Sequence, residues 1–163
     1  FRKFLSSDKE KEDSSILNIL GKVAKEHKNI KDIITEFPNN FNVITKRVSY
    51  KKSLELTKKA SVSLIIEAEA KSSPFMPGKL ADLIYLEKPI LALTPKKSET
   101  IRILGGDYPY QARVNDEKEI YEQLLNLWYL WEKKMLKLEK SKQLKEYTSS
   151  KELNKRLEQL LSN

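Results

Sequence analysis

Hydrophobic and polar positions along the chain follow two patterns, a repeat of three or four residues that is typical of helices and a set of continuous or alternating apolar runs. The continuous or alternating runs predict the strands. The runs at 61–66 and 89–95 are almost entirely apolar and rich in β-branched residues, which is typical of strands buried on both faces. The run at 41–48 predicts a further strand, and a weaker run at 32–37 predicts a short one. A proline inside 108–114 favours an edge strand there.

Apolar residues that recur every three or four positions predict the helices. One such stripe begins at Ile16 and includes Ala24, and a longer one runs from Ile120 to Leu138. Pro89 sets the end of the helix before it near Glu87, because the residue before a proline avoids helical geometry. The polar residues at 6–15 predict a loop, and the sequence PNN at 38–40 predicts a turn. The predicted helices are 16–24, 49–60, 77–87, 96–106, a long helix from Glu117, and 148–163.

This order of helices and strands indicates an α/β fold, Rossmann-like and three-layered, with a parallel sheet and long C-terminal helices. We expect a single domain over 1–163, helical over 117–163. Ligands of parallel α/β sheets bind beyond the carboxyl ends of the strands. The loop from Glu67 to Gly78 therefore lies where we expect the chemistry.

Charge and composition narrow the class of partner only in part. The 163 residues carry a net charge of +8, which favours an anionic partner such as a nucleotide, a nucleic acid or an acidic membrane surface. The chain has no cysteine, which excludes thiolate metal sites and thiol catalysis, and no apolar run of about 18 residues. Six lysines between 133 and 145 predict a solvated face or a contact with anionic lipid. We expect a cytoplasmic protein.

The sequence PGK at 77–79 predicts an anion site at the start of a helix. Gly78 has no Cβ to keep a ligand from the main chain, and Pro77 suits the first helical turn. The amides of Gly78, Lys79 and Leu80 would then meet a diphosphate, helped by the Lys79 charge and the Ser73 hydroxyl.

Asp82 follows one turn later, and a carboxylate there can accept hydrogen bonds from the hydroxyls of a ribose. Together the two features suit a nucleoside diphosphate. The alternative is a plain helix start followed by a solvated acid in the first turn, which spacing alone leaves open. Arg47, at a strand end, is a further candidate for contact with base or phosphate.

The run ASVSLIIEAEAKSSPFMPGKLADLIYLEKPILALTP at 60–95 resembles the donor-binding region of a known family. That family is the glycogen-synthase-like group 1 of retaining glycosyltransferases, which have two Rossmann-like domains (the GT-B architecture). The resemblance covers a strand at 60–66, a proline-containing loop at 74–79, and the step into the next strand at 86–93. It extends more weakly over 43–131 and into the last helix.

The resemblance implies that the chain is most of the carboxy-terminal, donor-binding half of such an enzyme. It implies diphosphate contacts at 78–80, ribose contact at Asp82, and cleft positions at Thr94 and Glu99. A glutamate common in the family falls on Pro74 here, so either Glu67 or Glu69 replaces it or its role is missing. The family's first strand and its acceptor-binding domain are not recognised in the sequence, so we expect this fragment alone to be inactive.

The predicted function is transfer of a sugar from a UDP- or GDP-sugar to a saccharide or lipid-linked acceptor, at the inner membrane face or in the cytoplasm. No cofactor and no nucleic acid are expected. Glu67 and Glu69 could share a divalent cation, but the helix dipole and Lys79 make a metal unnecessary. Two alternatives remain, a basic nucleic-acid-binding domain and a nucleotide-sugar epimerase-like domain. Catalytic residues are not predicted.

Overall fold

The structure is a computed structural model that describes residues 1–21 and 28–150, with side chains from residue 30 onward in the second range. It divides into two compact units, Phe1–Lys59 and Ala60–Asn163. Within the described residues each unit contains its own parallel sheet, with two strands in the first and three in the second. The prediction of a Rossmann-like α/β fold with parallel strands and intervening helices is therefore confirmed.

The first unit has a two-stranded parallel sheet in which Leu17 lies opposite Phe41. The buried Asn40 side chain ties its elements together, donating to the carbonyls of Glu12 (2.5 Å) and Ser15 (2.8 Å). The elements in chain order are α1 Arg2–Leu5, α2 Lys9–Ser14, β1 Leu17–Leu20, α3 Lys28–Glu36, a 3₁₀ turn at Pro38–Asn40, β2 Phe41–Ile44 and α4 Tyr50–Lys59.

Several predictions for the first unit are wrong. The stripe from Ile16 forms β1 rather than a helix, because parallel pairing with β2 uses these residues; positions 22–27 lie outside the described residues. The residues at 32–37 belong largely to the helix α3 and not to a strand. Within the predicted loop at 6–15, Asp8 caps α2 by accepting from the Glu10 amide at 2.9 Å. The predicted strand β2 and the predicted helix α4 are confirmed, and the Ser49 hydroxyl caps α4 by accepting from the Lys52 amide at 3.2 Å.

Over residues 60–150 the second unit contains three parallel strands in the order β3-β4-β5. Helices separate the strands along the chain, as the sequence predicts. The elements are β3 Ser63–Ile66, α5 Lys79–Tyr85, β4 Ile90–Thr94, α6 Glu99–Leu104, β5 Gln111–Arg113, α7 Glu117–Glu132 and α8 Lys142–Tyr147. Gly105 ends α6 with φ at 103°, a backbone conformation that favours glycine.

The core of the second unit is built around β4, whose five residues are all buried. Leu80 and Leu83 of α5 and Ile103 of α6 belong to the same buried cluster. The prediction that β3 is also buried on both faces is wrong, because Leu64 and Ile66 are 41% and 63% exposed while Ile65 is buried. Leu64 and Ile66 share one face of β3 and Ile65 points to the other, so only one face of this strand is buried.

Nine residues separate the end of α7 from the start of α8, which corrects the prediction of one long basic helix. Lys134 has a positive φ of 56°, and the amide of Met135 donates to the carbonyl of Leu130 at 2.8 Å. This bond, with the one from Lys134 to Trp131, forms a Schellman C-cap. Glu87 ends α5 in the same way, with φ at 52°. Most of the predicted last helix, at 151–163, lies outside the described residues.

We expect Lys134→Gly to stabilise the protein. The left-handed conformation costs a non-glycine residue about 1–2 kcal/mol, more than the added chain entropy of about 0.5–1 kcal/mol. The free energy of unfolding, measured by urea denaturation, should therefore rise by about 0.5–1 kcal/mol. The control is Lys133→Gly, at φ −77°, which should lower it. If the free energy of unfolding changed with the same sign in both variants, the left-handed conformation of Lys134 would be contradicted.

Candidate functional site

The carboxyl ends of the strands in the second unit meet at one edge of the sheet, because the strands are parallel. Glu67 follows β3 directly, and Thr94 is the last residue of β4. The Glu67 amide donates to the carbonyl of Leu93 at 2.9 Å, which continues the strand register to this point. Glu67 and Thr94, two of the predicted site residues, thus lie on neighbouring strands at their carboxyl ends.

The Glu67 carboxylate connects the end of β3 to the start of α6. Its Oε1 accepts from the hydroxyls of Ser98 (2.8 Å) and Thr100 (2.5 Å). The Ser98 hydroxyl also caps α6 by accepting from the Thr100 amide at 3.0 Å. Glu67 is only 9% exposed, and its second oxygen, Oε2, is buried with no hydrogen-bond partner within the described residues. We call this set of Glu67, Ser98 and Thr100 the clasp.

Backbone hydrogen bonds hold the middle of the 67–78 loop beside the residues that follow β4. The Ser73 amide donates to the Lys97 carbonyl at 2.8 Å, and the Glu99 amide donates to the Ser73 carbonyl at 2.9 Å. The loop is therefore fastened by the clasp at its start and by this bridge near its middle. Ser73 forms this bridge through its main chain. Contact between its hydroxyl and a diphosphate therefore stays a prediction.

The start of α5 has the open backbone that the sequence predicts. Gly78 is the N-cap residue, with ordinary helical dihedrals, and a Cβ built on it would meet no atom of the described residues within 4 Å. Lys79 is exposed, and within the described part of the chain the amides of Gly78 and Lys79 donate to no acceptor. The Leu80 amide differs from the prediction, because it donates to the Pro77 carbonyl at 2.9 Å. The Leu80 side chain is fully buried.

The other predicted residues have different surroundings. Asp82 is half-buried in the first turn of α5, three residues after Lys79 and so on the same side of the helix. Glu99 is held by the Arg102 guanidinium at 2.6 Å, and this hydrogen bond lowers the pKa of Glu99. Glu69 accepts from the Asn115 side-chain amide at 2.6 Å. Arg47 is exposed in the first unit, after β2.

Glu67 and Glu69, the two carboxylates that could share a divalent cation, lie in different surroundings. The two carboxylates have separate partners, the clasp hydroxyls for Glu67 and Asn115 for Glu69. In residues 1–21 and 28–150, no group of three or more acidic or histidine side chains is placed to hold a metal ion. The one histidine of the sequence, His27, lies outside the described residues.

A cleft of about 650 Å³ lies beside the carboxyl ends of β4 and β5, and we call it the carboxyl-edge cleft. Of the predicted residues only Thr94 lines it. Gln123 of α7 lines it too and was missed by the sequence analysis, although a polar residue within an apolar stripe is a recognisable signal. The lining residues are Thr94, Pro95, Lys96, Ile101, Gly106, Gln111, Ala112, Arg113, Glu119, Glu122 and Gln123.

The comparison with known proteins adds no family assignment: no known protein family matches the chain, and neither does any curated protein. Among the helices of the described residues, none is both long and apolar enough to span a membrane. The functional interpretation therefore depends on the geometry of the second unit.

We expect Glu67→Ala to destabilise the protein by about 1–3 kcal/mol, because it leaves the buried Thr100 hydroxyl without its acceptor and removes a bond to the α6 cap. The measurement is the free energy of unfolding from urea denaturation. Glu69→Ala is the matched control, since it removes an exposed carboxylate from the same loop and should change stability by less than about 0.5 kcal/mol. Equal effects of the two substitutions would contradict the structural role of the clasp.

Proposed function

We propose that the second unit is the donor-binding half of a glycosyltransferase, and that it binds the nucleoside diphosphate part of a UDP- or GDP-sugar. The observation that carries this proposal is the open backbone at Gly78 and Lys79, at the start of the helix that connects two parallel strands. In such β-α-β units the start of the helix lies at the carboxyl edge of the sheet, where phosphates bind.

The chemistry of these residues suits a diphosphate. Two amides without an acceptor in the described residues and the Lys79 ammonium can donate charge-assisted hydrogen bonds to phosphate oxygens. The absence of a Cβ at Gly78 leaves room for those oxygens to approach. Because the Leu80 amide is engaged with Pro77, Gly78 and Lys79 supply the contacts from this turn.

Asp82 extends the proposed site by one helical turn. On the same side of α5 as Lys79, its carboxylate can accept hydrogen bonds from the two hydroxyls of a ribose. The fixed course of the 67–78 loop supports this arrangement, because the clasp and the Ser73 bridge hold the segment that leads into α5. A preorganised loop loses little conformational entropy on binding.

The proposal assigns catalysis to the complete enzyme. An acceptor-binding domain supplies the second substrate, and the donor half contributes by stabilising the negative charge that develops on the departing diphosphate. We further propose a cytoplasmic location with contact to an anionic membrane face. The exposed lysines at 133, 134 and 137 support this contact, since each lysine near an anionic bilayer adds about 1 kcal/mol of attraction.

Calorimetric titration with UDP, GDP and a short RNA tests the proposal. We expect one nucleoside diphosphate to bind, and Lys79→Ala and Asp82→Ala each to weaken binding by about 1–3 kcal/mol, as lost charged hydrogen bonds should. The matched control is Lys71→Ala, which removes an exposed lysine from the same loop and should leave the affinity within about 0.5 kcal/mol.

Gly78→Ala separates binding from folding. The added Cβ meets no atom of the part of the chain that the structure describes, so the free energy of unfolding should not fall. Affinity for the diphosphate should drop about tenfold or more, because the methyl group occupies the space of the ligand. Binding of RNA alone, or full affinity in the Lys79, Asp82 and Gly78 variants, would refute the proposed site. Conversion of a UDP-sugar without any acceptor would instead support an epimerase.

A further inference from the structure

The end of helix α7 and the turn after it expose three large apolar side chains. Tyr129 is 53% exposed, Trp131 43% and Met135 61%. Single exposed apolar residues are usual on a protein surface, whereas these three fall within seven residues of chain. The Schellman cap at Lys134 accounts for an apolar residue at Met135, but most of that side chain stays uncovered. Packing within the second unit therefore does not explain them.

Lysines surround these apolar side chains. Residues 129–145 contain six lysines, two glutamates and no arginine, so this segment carries half of the chain's net charge of +8. Within the described part of the chain, Lys133 and Lys134 form no ion pair, and Lys137 forms one, to Glu139 at 3.6 Å. Positive charge concentrated in this way is complementary to an anionic surface.

The lysines and the apolar side chains share one surface. Lys134, Met135 and Lys137 line a cavity of about 770 Å³, which brings them together in space. The Lys133 ammonium lies over the ring of Tyr129, 5.7 Å from the ring centre. We call the following residues the α7-end surface: Tyr129, Trp131, Lys133, Lys134, Met135 and Lys137.

The chemistry of the α7-end surface suits the interface of an anionic bilayer better than a nucleic acid. Tryptophan and tyrosine favour the headgroup region, because their rings are largely apolar and carry one polar atom. Met135 has no ring on which a base could stack, but it can enter the boundary of the acyl chains. Lysines can keep their charges among the headgroups while their stems cover apolar surface. Arginine, the usual residue for paired hydrogen bonds to nucleic acids, does not occur at 129–145.

We propose that the α7-end surface binds an anionic bilayer by inserting Trp131 and Met135 at its interface, while Lys133, Lys134 and Lys137 contact the lipid phosphates. This inference rests on the membrane contact proposed above and adds the residues that enter the bilayer. It is independent of nucleotide binding at the start of α5.

Sedimentation of the whole chain with vesicles tests the binding. We expect the chain to bind vesicles that contain phosphatidylglycerol, but not vesicles of phosphatidylcholine alone. Replacing Lys133, Lys134 and Lys137 together by glutamine should weaken the binding by about tenfold or more, because each lysine near an anionic bilayer contributes about fivefold. Trp131→Gln with Met135→Gln should weaken it by about tenfold or more through lost apolar burial.

Two controls match these variants. Replacing the exposed Lys46, Lys51 and Lys59 of the first unit by glutamine removes the same number of charges, and Tyr85→Gln removes an aromatic side chain that is 85% exposed on α5. Both should leave vesicle binding nearly unchanged at physiological salt, since charge away from the bilayer is screened.

Lipids brominated on the acyl chain test the insertion itself. The chain has two tryptophans, so Trp128→Phe leaves Trp131 as the only one, and Trp131→Phe leaves the half-buried Trp128. We expect brominated vesicles to quench the fluorescence of Trp131 strongly and that of Trp128 much less.

Three results would each overturn the proposal: no binding to the anionic vesicles, even if a short RNA binds; full binding by the Trp131 and Met135 double variant; or no quenching of Trp131. Titration of the triple lysine variant with UDP and GDP separates this proposal from the donor site. Its nucleotide affinity should equal that of the unchanged chain, so loss of vesicle binding alone leaves the donor site standing, and absence of nucleotide binding alone leaves the α7-end surface standing.

Discussion

Strand β4 has parallel neighbours on both sides and five buried residues, and the second unit is organised by this burial. A buried strand must satisfy its backbone groups by pairing, so β3 and β5 are held in register along it. The buried hydroxyl of Tyr108 adds to this, since it donates to the Ile90 carbonyl at 3.0 Å and accepts from the Ile90 amide at 3.1 Å. The positions of the strand ends, and with them the candidate sites, follow from β4.

Two separate sets of polar groups occupy the carboxyl edge that β4 defines. One set is structural, because the clasp and the Ser73 bridge fasten the 67–78 loop and use their hydrogen-bonding groups within the protein. The other set leaves groups unused within the described residues, at the amides of Gly78 and Lys79 in one place and at the Oε1 of Gln123 in another. The polar groups without a protein partner are therefore the candidates for contact with a ligand at this edge.

The sequence predicts those elements whose signals are local. The buried β4, the glycine-closed α6 and the capped α4 carry their information within a few residues. The residues of the short strand β1 were predicted as a helix, and those of the helix α3 as a strand. Short apolar runs fit both the helical and the strand repeat, so tertiary pairing decides between them. The ends of α5 and α7 use Glu87 and Lys134 where glycine is usual. The clasp joins residues 31 and 33 positions apart, which no local pattern reveals.

The central claim is that the start of α5 meets a nucleoside diphosphate. It is tested most directly by mapping backbone amide resonances during titration of the isotope-labelled chain with UDP and GDP. The account predicts that one of the two nucleotides produces its largest shifts at the amides of Gly78 and Lys79, with smaller changes at Leu80, whose amide is already bonded to Pro77. Saturable shifts that leave Gly78 and Lys79 unchanged, or no shifts with either nucleotide, would contradict it.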